Sequence, residues 1–321
     1  MSATKQLRQM LDKVQVPSLG IKTSNERRVS IFGMVESGKT TVLCALETTC
    51  IDLTNRKDDL GKNFYYFVEE RTSGIRQASS EFRKGMFPER TPEGHTFEAD
   101  FLMRWEDRFN KIFLRLPFCE TAGEEIAKLI SRFQSGQYDL TPDTFANAGQ
   151  IYDYILNCSG AIIIAPVTRA LGVEEERGGR IKDPDVNIAR LLECIYKYRE
   201  TNGLPPLKGL GVLLTKYDAL SKYLCEQGMN LDTPEGTHKF MATHFKETYA
   251  VLKWYGLEKV RFWPTWVELE TEKDPVTGNL VAIRHPVRGY KIRTDMNTRM
   301  PKFSVSVYRD VIGWLKETFK S

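Results

Sequence analysis

Gly33-Met34-Val35-Glu36-Ser37-Gly38-Lys39-Thr40 fits the pattern G-x-x-x-x-G-K-[ST] at every fixed position. The chemistry behind that spacing is anion binding. Glycines let the backbone wrap so that successive N–H groups aim at phosphate oxygens, and the N-terminus of a following helix adds partial positive charge. Lys39 would reach the β- and γ-phosphates, and the Thr40 hydroxyl would serve Mg²⁺. Gly33, Glu36, Ser37, Gly38, Lys39, Thr40 and Thr41 form the expected phosphate-contacting set. The context suits the motif: an apolar strand, Val29 to Phe32, precedes it and a helical pattern from Lys39 to about Cys50 follows.

Phosphate loops serve adenine and guanine nucleotides alike, so the base is read elsewhere. Thr215-Lys216-Tyr217-Asp218 follows the apolar strand Leu210 to Leu214 and resembles the guanine-recognition motif [N/T]KxD of the Ras-like GTPases. In such a motif the carboxylate accepts from the ring N–H and exocyclic amine of guanine, a donor pair adenine lacks. Between the two motifs, Glu120-Thr121-Ala122-Gly123-Glu124-Glu125 looks like the DTAG segment of the same proteins. Three motifs in order thus resemble the TRAFAC-class, Ras-like P-loop GTPases. The phosphate loop is closest to that of heterotrimeric G-protein α subunits, and the layout is nearer to prokaryotic Ras-like GTPases. The resemblance spans Arg27 to Trp266.

That resemblance implies further roles. Glu120 would hold Mg²⁺ through water, the Gly123 amide would sense the γ-phosphate, and Glu124 stands where the Ras type carries a water-orienting glutamine. Thr91 is the candidate switch threonine on the metal, with Thr96 and Thr72 as rivals, and Arg90 could stabilise charge on the transferring phosphoryl group in cis. Thr265 is the ribose-side or base-side candidate, in Pro264-Thr265-Trp266, where the family carries a Ser-Ala pair. Two departures stand out: Glu120 replaces Asp, and Glu124 replaces Gln. They imply slow intrinsic hydrolysis, or help from a partner. The implied fold is α/β: a mainly parallel six-stranded sheet with one antiparallel edge strand, helices on both faces, insertions and a C-terminal hairpin extension.

The elements that must position these residues can be read independently. Asn63 to Glu69 is an aromatic strand candidate, and Thr72 to Gly85 a helix. Thr96 to Trp105 and Lys111 to Leu116 flank a turn and read as an antiparallel hairpin. Helices are expected over Glu124 to Phe133, Phe145 to Leu156, Val186 to Glu200, Thr233 to Tyr255 and Ser306 to Phe319. Further strands are expected over Ala161 to Pro166 and Lys259 to Trp263. Trp266 to Ile283 reads as a hairpin turning at Asp274 to Gly278. Val173 to Asp185, acidic and then basic, reads as a solvated loop. The domain reading is an N-terminal amphipathic helix and linker over 1–26, then one GTPase-like domain over 27–321. Insertions fall at about 50–86 and 168–185, and a hairpin and basic extension at about 266–303.

Composition sets the outer bounds. The chain has 321 residues, 41% hydrophobic and 27% charged, with a formal charge of +4. Those proportions exclude a disordered, collagenous or coiled-coil chain. The basic stretch Arg284 to Lys302 has only Tyr290 and the adjoining Phe303 as aromatics, so it does not point to nucleic acid. Contact with an acidic partner or an anionic membrane surface is its sharper reading, as it is for the N-terminal helix carrying Leu7, Met10, Leu11 and Val14. No apolar run is long enough to span a membrane and the N-terminus has no signal-peptide pattern, so a cytoplasmic location is expected. The six cysteines are expected to be buried free thiols rather than disulfides. The function expected is GTP binding with hydrolysis to GDP, a nucleotide-dependent switch with Mg²⁺ and a protein effector or regulator. Two alternatives stay open: a module that binds guanine nucleotide structurally with little hydrolysis, and an ATP-using P-loop enzyme.

Overall fold

The structure, a computed structural model, describes residues 26–33, 37–56, 58–70, 74–88, 97–106, 111–120, 131, 135, 158–170, 184–218, 220–275, 278, 280–285 and 289–320. The expected N-terminal helix, the helix over 124–133 apart from the helical Ser131, the helix over 145–156, and residues 173–183 of the acidic loop lie outside them.

Among the described residues, seven strands form the main sheet. In chain order they are β1 (Glu26–Gly33), β2 (Phe64–Glu70), β3 (Phe97–Glu106), β4 (Lys111–Glu120), β5 (Gly160–Pro166), β6 (Gly209–Thr215) and β7 (Val260–Pro264). Across the sheet the order is β2-β3-β4-β1-β5-β6-β7. β4, β1, β5, β6 and β7 run parallel to one another, whereas β3 is antiparallel to both β4 and β2. The sheet is therefore mostly parallel, as the alternation of strand and helix patterns implies.

β5 and β6, Gly-Ala-Ile-Ile-Ile-Ala-Pro and Gly-Leu-Gly-Val-Leu-Leu-Thr, are buried at every residue. Continuous apolar strands of this kind need cover on both faces. One face, with Ile31, Ile162, Ile164 and Leu213, packs on α1 (Lys39–Thr54), α2 (Ile75–Arg83) and the C-terminal α8 (Val305–Thr318). The other, with Phe32, Ile163, Val212 and Leu214, carries α4 (Pro184–Thr201), α5 (Ser221–Glu226), α6 (Pro234–His244) and α7 (Lys246–Tyr255). A single turn, α3 (Val167–Ala170), follows β5. Arg309 of α8 is ion-paired to Asp58, and Lys316 donates to the Asp59 carbonyl at 3.1 Å, tying the last helix to the turn after α1.

The six-stranded expectation is corrected to seven. The additional strand is β2, the aromatic segment that the residue pattern marks as a strand but the family template counts as insertion. β2 pairs outside β3, so the antiparallel strand is second from the edge. Alternation explains its place. Phe64 and Val68 are buried, with the Phe64 ring 4.9 Å from that of Trp105, while Tyr65 and Phe67 point outward. Tyr66 lies on the inner face and donates its hydroxyl to Glu47 Oε1 of α1 at 2.9 Å.

Three other elements differ from expectation. The helical region after Thr233 divides at Phe245, whose ring is fully buried and whose backbone leaves the helical range at φ −128°, ψ 52°. Asp185, placed in a solvated loop from sequence, sits in the first turn of α4 and is buried. Its carboxylate accepts the amides of Glu247 at 2.9 Å and Thr248 at 2.7 Å, so it caps α7 from a neighbouring helix. The C-terminal extension contains the expected hairpin, β8 (Thr271–Lys273) with β9 (Leu280–Ala282), and a second pair, β10 (Arg284–His285) with β11 (Gly289–Tyr290). It is fastened to the core through Ile292, whose amide donates to the Gly85 carbonyl at 2.8 Å, and Phe303, which meets Phe82 edge-on.

Candidate functional site

Parallel pairing brings the carboxyl ends of five strands to one end of the sheet. Gly33 lies opposite Ile164, Pro166 opposite Thr215, and Leu214 opposite Pro264. β1 and β4 pair with Glu26 opposite Phe113, and continuing that register sets Glu120 level with Gly33. The ends of β1, β4 and β6, from which the three motifs continue, therefore share one rim. β1 is also where the chain order reverses, with β4 on one side and β5 on the other. A crevice at the carboxyl ends beside such a reversal is where open α/β sheets bind ligands.

Gly33 ends β1. A Cβ there would lie 2.6 Å from Ser37 Oγ and 2.9 Å from both Ile164 Cβ and its carbonyl oxygen, so the chain doubles back at a place only glycine permits. Gly38 then takes a left-handed conformation at φ 88°, ψ 20° and accepts the Val42 amide on its carbonyl at 2.9 Å. It provides no capping side chain for α1. Nothing from the N-cap residue therefore competes for the positive end of the helix dipole. Lys39 is buried and donates its ammonium back to the Gly33 carbonyl at 2.9 Å, across the loop. Ser37 is buried too, and its Oγ has no hydrogen-bond partner among the described residues. An anion with several acceptor oxygens suits that donor set. Thr40 and Thr41 open α1 and are half-buried.

The second motif meets this loop directly. Thr215, the last residue of β6, is buried and donates its hydroxyl to the Ser37 carbonyl at 2.8 Å. Lys216 follows in a left-handed conformation at φ 63°, a position that costs a residue with a Cβ about 1–2 kcal/mol. The turn it makes sends Tyr217 into the core and leaves Asp218 exposed on the rim. Burial, and then the Asp232 carboxylate, push the Tyr217 phenol well above its ordinary pKa. Thr265 is buried at the end of β7. Its amide donates to the Leu214 carbonyl at 2.8 Å, and its own carbonyl accepts the Tyr217 amide at 3.4 Å.

The structure thus brings together Gly33, Ser37, Gly38, Lys39, Thr40, Thr41, Thr215, Lys216, Asp218 and Thr265. Glu120 closes β4 at the same rim, its side chain outside the described set. Glu36, Arg90, Thr91, Gly123 and Glu124 lie outside the described residues, as do Thr72 and Thr96. Sequence reasoning left Tyr217 as a filler within the motif. The signal that could have found it is the alternation after β6, which sends position 217 inward with position 215. Elsewhere, Cys44, Cys50, Cys158 and Cys194 are buried free thiols, whereas Cys225 is free and exposed against expectation, on the short surface helix α5.

No protein-family model and no curated protein matches the sequence. Among solved structures 27 chains match. One is the crystal structure of sup35 complexed with GDP, 12% identical, with a TM-score of 0.28. The match covers 75% of this chain and 37% of that one, so this chain spans well under half of its neighbour's length. A likeness at that level carries nothing about the ligand here, and the GDP belongs to that protein.

Proposed function

We propose that this protein binds guanine nucleotide at the carboxyl rim of its sheet and hydrolyses GTP to GDP, acting as a nucleotide-dependent switch of Ras-like type. The observation that carries the reading is the Thr215 hydroxyl on the Ser37 carbonyl at 2.8 Å. It joins two motifs far apart in sequence, one with the chemistry of phosphate binding and one with the chemistry of guanine recognition, in a single site.

In this reading Gly33, Glu36, Ser37, Gly38 and Thr41 shape or line the phosphate cradle, and Lys39 neutralises charge that develops on the phosphoryl oxygens. Asp218 accepts from the guanine edge while the Lys216 stem lies over the base. Thr265 acts from beneath, holding the Tyr217 amide. Mg²⁺, bound at Thr40 with Thr91 and Glu120, would supply charge neutralisation between the phosphates. Gly123 would sense the terminal phosphate, Arg90 would offset transition-state charge, and Glu124 would orient the attacking water. Hydrolysis would release the loops around Arg90–Gly94 and Glu120–Glu125 to change contacts with a protein effector. The segments that would meet such partners, or an anionic membrane, are the N-terminal 1–26 segment and the basic 284–302 stretch. In the latter, Arg293 is held at 2.6 Å by Glu268, so its charge is partly committed within the molecule.

A second reading has its own support. Glu at 120 and 124, in place of Asp and Gln, favours a protein that holds guanine nucleotide and turns it over little. Native mass spectrometry of the purified protein, followed by phosphate release from GTP and ATP by wild type and Lys39→Ala, separates the possibilities. The proposal expects bound guanine nucleotide, GTP-selective release, and loss of both in Lys39→Ala. Intact GTP retained for hours would select the non-hydrolysing reading, and a preference for ATP would overturn the guanine assignment.

A further inference from the structure

Tyr217 occupies the variable place between Lys216 and Asp218, yet each of its polar groups is engaged. Its amide donates to the Thr265 carbonyl at 3.4 Å. Its carbonyl accepts the Leu220 amide at 3.0 Å, closing a four-residue turn in which Asp218 is the first central residue. Its phenol faces Asp232 Oδ2 at 3.3 Å and Asn230 Oδ1 at 3.4 Å, and its ring is buried in the core that includes Leu224, Met229 and Leu231.

The far end of this strut is itself stiff. Asn230 Oδ1 accepts the Asp232 amide at 3.0 Å, an Asx turn. The Asn230 carbonyl accepts both the amide and the hydroxyl of Thr233, at 3.1 and 2.9 Å. Thr233 caps α6 by accepting the Gly236 amide at 3.1 Å. A Cβ on Gly236 would lie 1.9 Å from the Asn230 oxygen, so α6 is seated directly on this corner. A single phenolic proton between two acceptors on such a corner fixes where the ring lies, and the ring fixes the backbone on both sides of it.

We infer that Tyr217 is a positioning residue for base selectivity, holding Asp218 at the rim through the Asn230–Asp232 corner at the start of α6. The inference rests on the guanine-binding reading above and deepens it. Tyr217 touches no nucleotide; it acts through Asp218. It converts the placement of one exposed carboxylate from a property of a surface turn into a property of the core.

The test is a thermodynamic cycle on the full-length chain, with GDP and ADP affinities measured by calorimetry for wild type, Tyr217→Phe, Asp218→Ala and the double variant. Circular dichroism and thermal melting report the folded fraction of each. Tyr217→Phe keeps the ring and removes only the hydroxyl, so GDP affinity is expected to fall about five- to tenfold with ADP affinity unchanged. In the Asp218→Ala background the same change is expected to have no further effect, because the group through which Tyr217 acts is gone. Asp232→Ala, which removes the nearer of the two acceptors and leaves Asn230 Oδ1, is expected to lower GDP affinity in the same direction by a smaller factor, and it replaces Tyr217→Phe if that variant does not fold. Equal losses for GDP and ADP, or an undiminished loss in the Asp218→Ala background, would show a merely structural tyrosine and overturn the inference alone. Unchanged GDP affinity in both Tyr217→Phe and Asp232→Ala would do the same. A wild type that binds no guanine nucleotide would overturn the function proposed above and this inference with it, so the two failures are distinguishable.

Discussion

Thr215→Val isolates the contact on which the functional reading turns. Valine matches threonine in shape, so packing at the end of β6 is retained and only the donor to the Ser37 carbonyl is lost. Thr215 is 5% exposed and Ser37 is 0% exposed, so no water can replace the 2.8 Å hydrogen bond without reopening the loop. A buried acceptor left without its partner costs about 1–3 kcal/mol. For a chain of 321 residues that cost corresponds to a melting point lowered by about 1.5–4.5 °C. The conservative Thr215→Ser should recover most of it, because the hydroxyl rather than the methyl is the donor. Differential scanning fluorimetry of the three proteins without added nucleotide gives the first comparison, and GDP titration the second. GDP affinity is expected to drop about tenfold in Thr215→Val, since the carbonyl held by Thr215 belongs to the phosphate loop. A Thr215→Val melting point within about 1 °C of wild type, together with unchanged GDP affinity, would refute the claim that this contact organises the site.

Four further outcomes are expected. Asp218→Asn should move base preference from guanine toward xanthine by about a hundredfold or more, because a carboxamide donates where the carboxylate only accepts; an unchanged GDP-to-XDP ratio would remove Asp218 from the site. Asp185→Ala should lower unfolding stability in urea by about 2–4 kcal/mol by depriving the Glu247 and Thr248 amides of their acceptor, and a loss under about 0.5 kcal/mol would deny the cap. Burial pushes the thiols of Cys158 and Cys194 up to about 11 and about 12 from an ordinary value of 9.0. These thiols stay protonated in the fold while the unfolded chain ionises, so stability should fall as pH rises above about 9 and be insensitive to them below it. At pH 8 a maleimide should modify Cys225 ahead of Cys44, Cys50, Cys158 and Cys194, as peptide mapping would show; prompt labelling of the buried four would contradict their packing.

How much of this was written in the chain depends on the range of the interaction that decides each element. The β1–loop–α1 unit is decided within about twenty residues: apolar strand, paired glycines, helix. It lies where the pattern places it. β5 and β6 were legible for the same reason, because uninterrupted aliphatic runs suit buried parallel strands and little else, whereas β7, Val-Arg-Phe-Trp-Pro, was legible from its β-branched and aromatic residues. The Thr96–Trp105 and Lys111–Leu116 hairpin was legible from its turn, although β4 continues to Glu120 and so carries the acidic motif residue to the rim. Phe245 could not be seen as a helix break, since its local propensity is unremarkable and the break follows from where its ring is buried. Asp185 was misread for a related reason: an acidic residue beside a charged run looks solvated until the helix whose amides it caps is known. Arg293 looked like part of an uncompensated basic stretch because its partner, Glu268, stands outside the window that made the stretch look basic.

The site shows the same division, and its geometry explains why two motifs must be considered as one. β5 separates β1 from β6, so the ends of those strands stand about 10 Å apart. A phosphate loop confined to the end of β1 would not reach Thr215. A Cβ on Gly33 would meet Ser37 Oγ and Ile164, the residue opposite it on β5. Ser37 in turn gives its carbonyl to Thr215. Ser37 therefore bridges Gly33 at the end of β1 and Thr215 at the end of β6. Anything that changes the height of the Lys39 loop is felt at the residue preceding Lys216 and Asp218, and the reverse holds. In the function proposed above, phosphate recognition and base recognition at this rim would consequently be coupled through the Thr215–Ser37 hydrogen bond. Two motifs that sequence presents as independent signatures should then respond together to substitution at 33, 37 or 215.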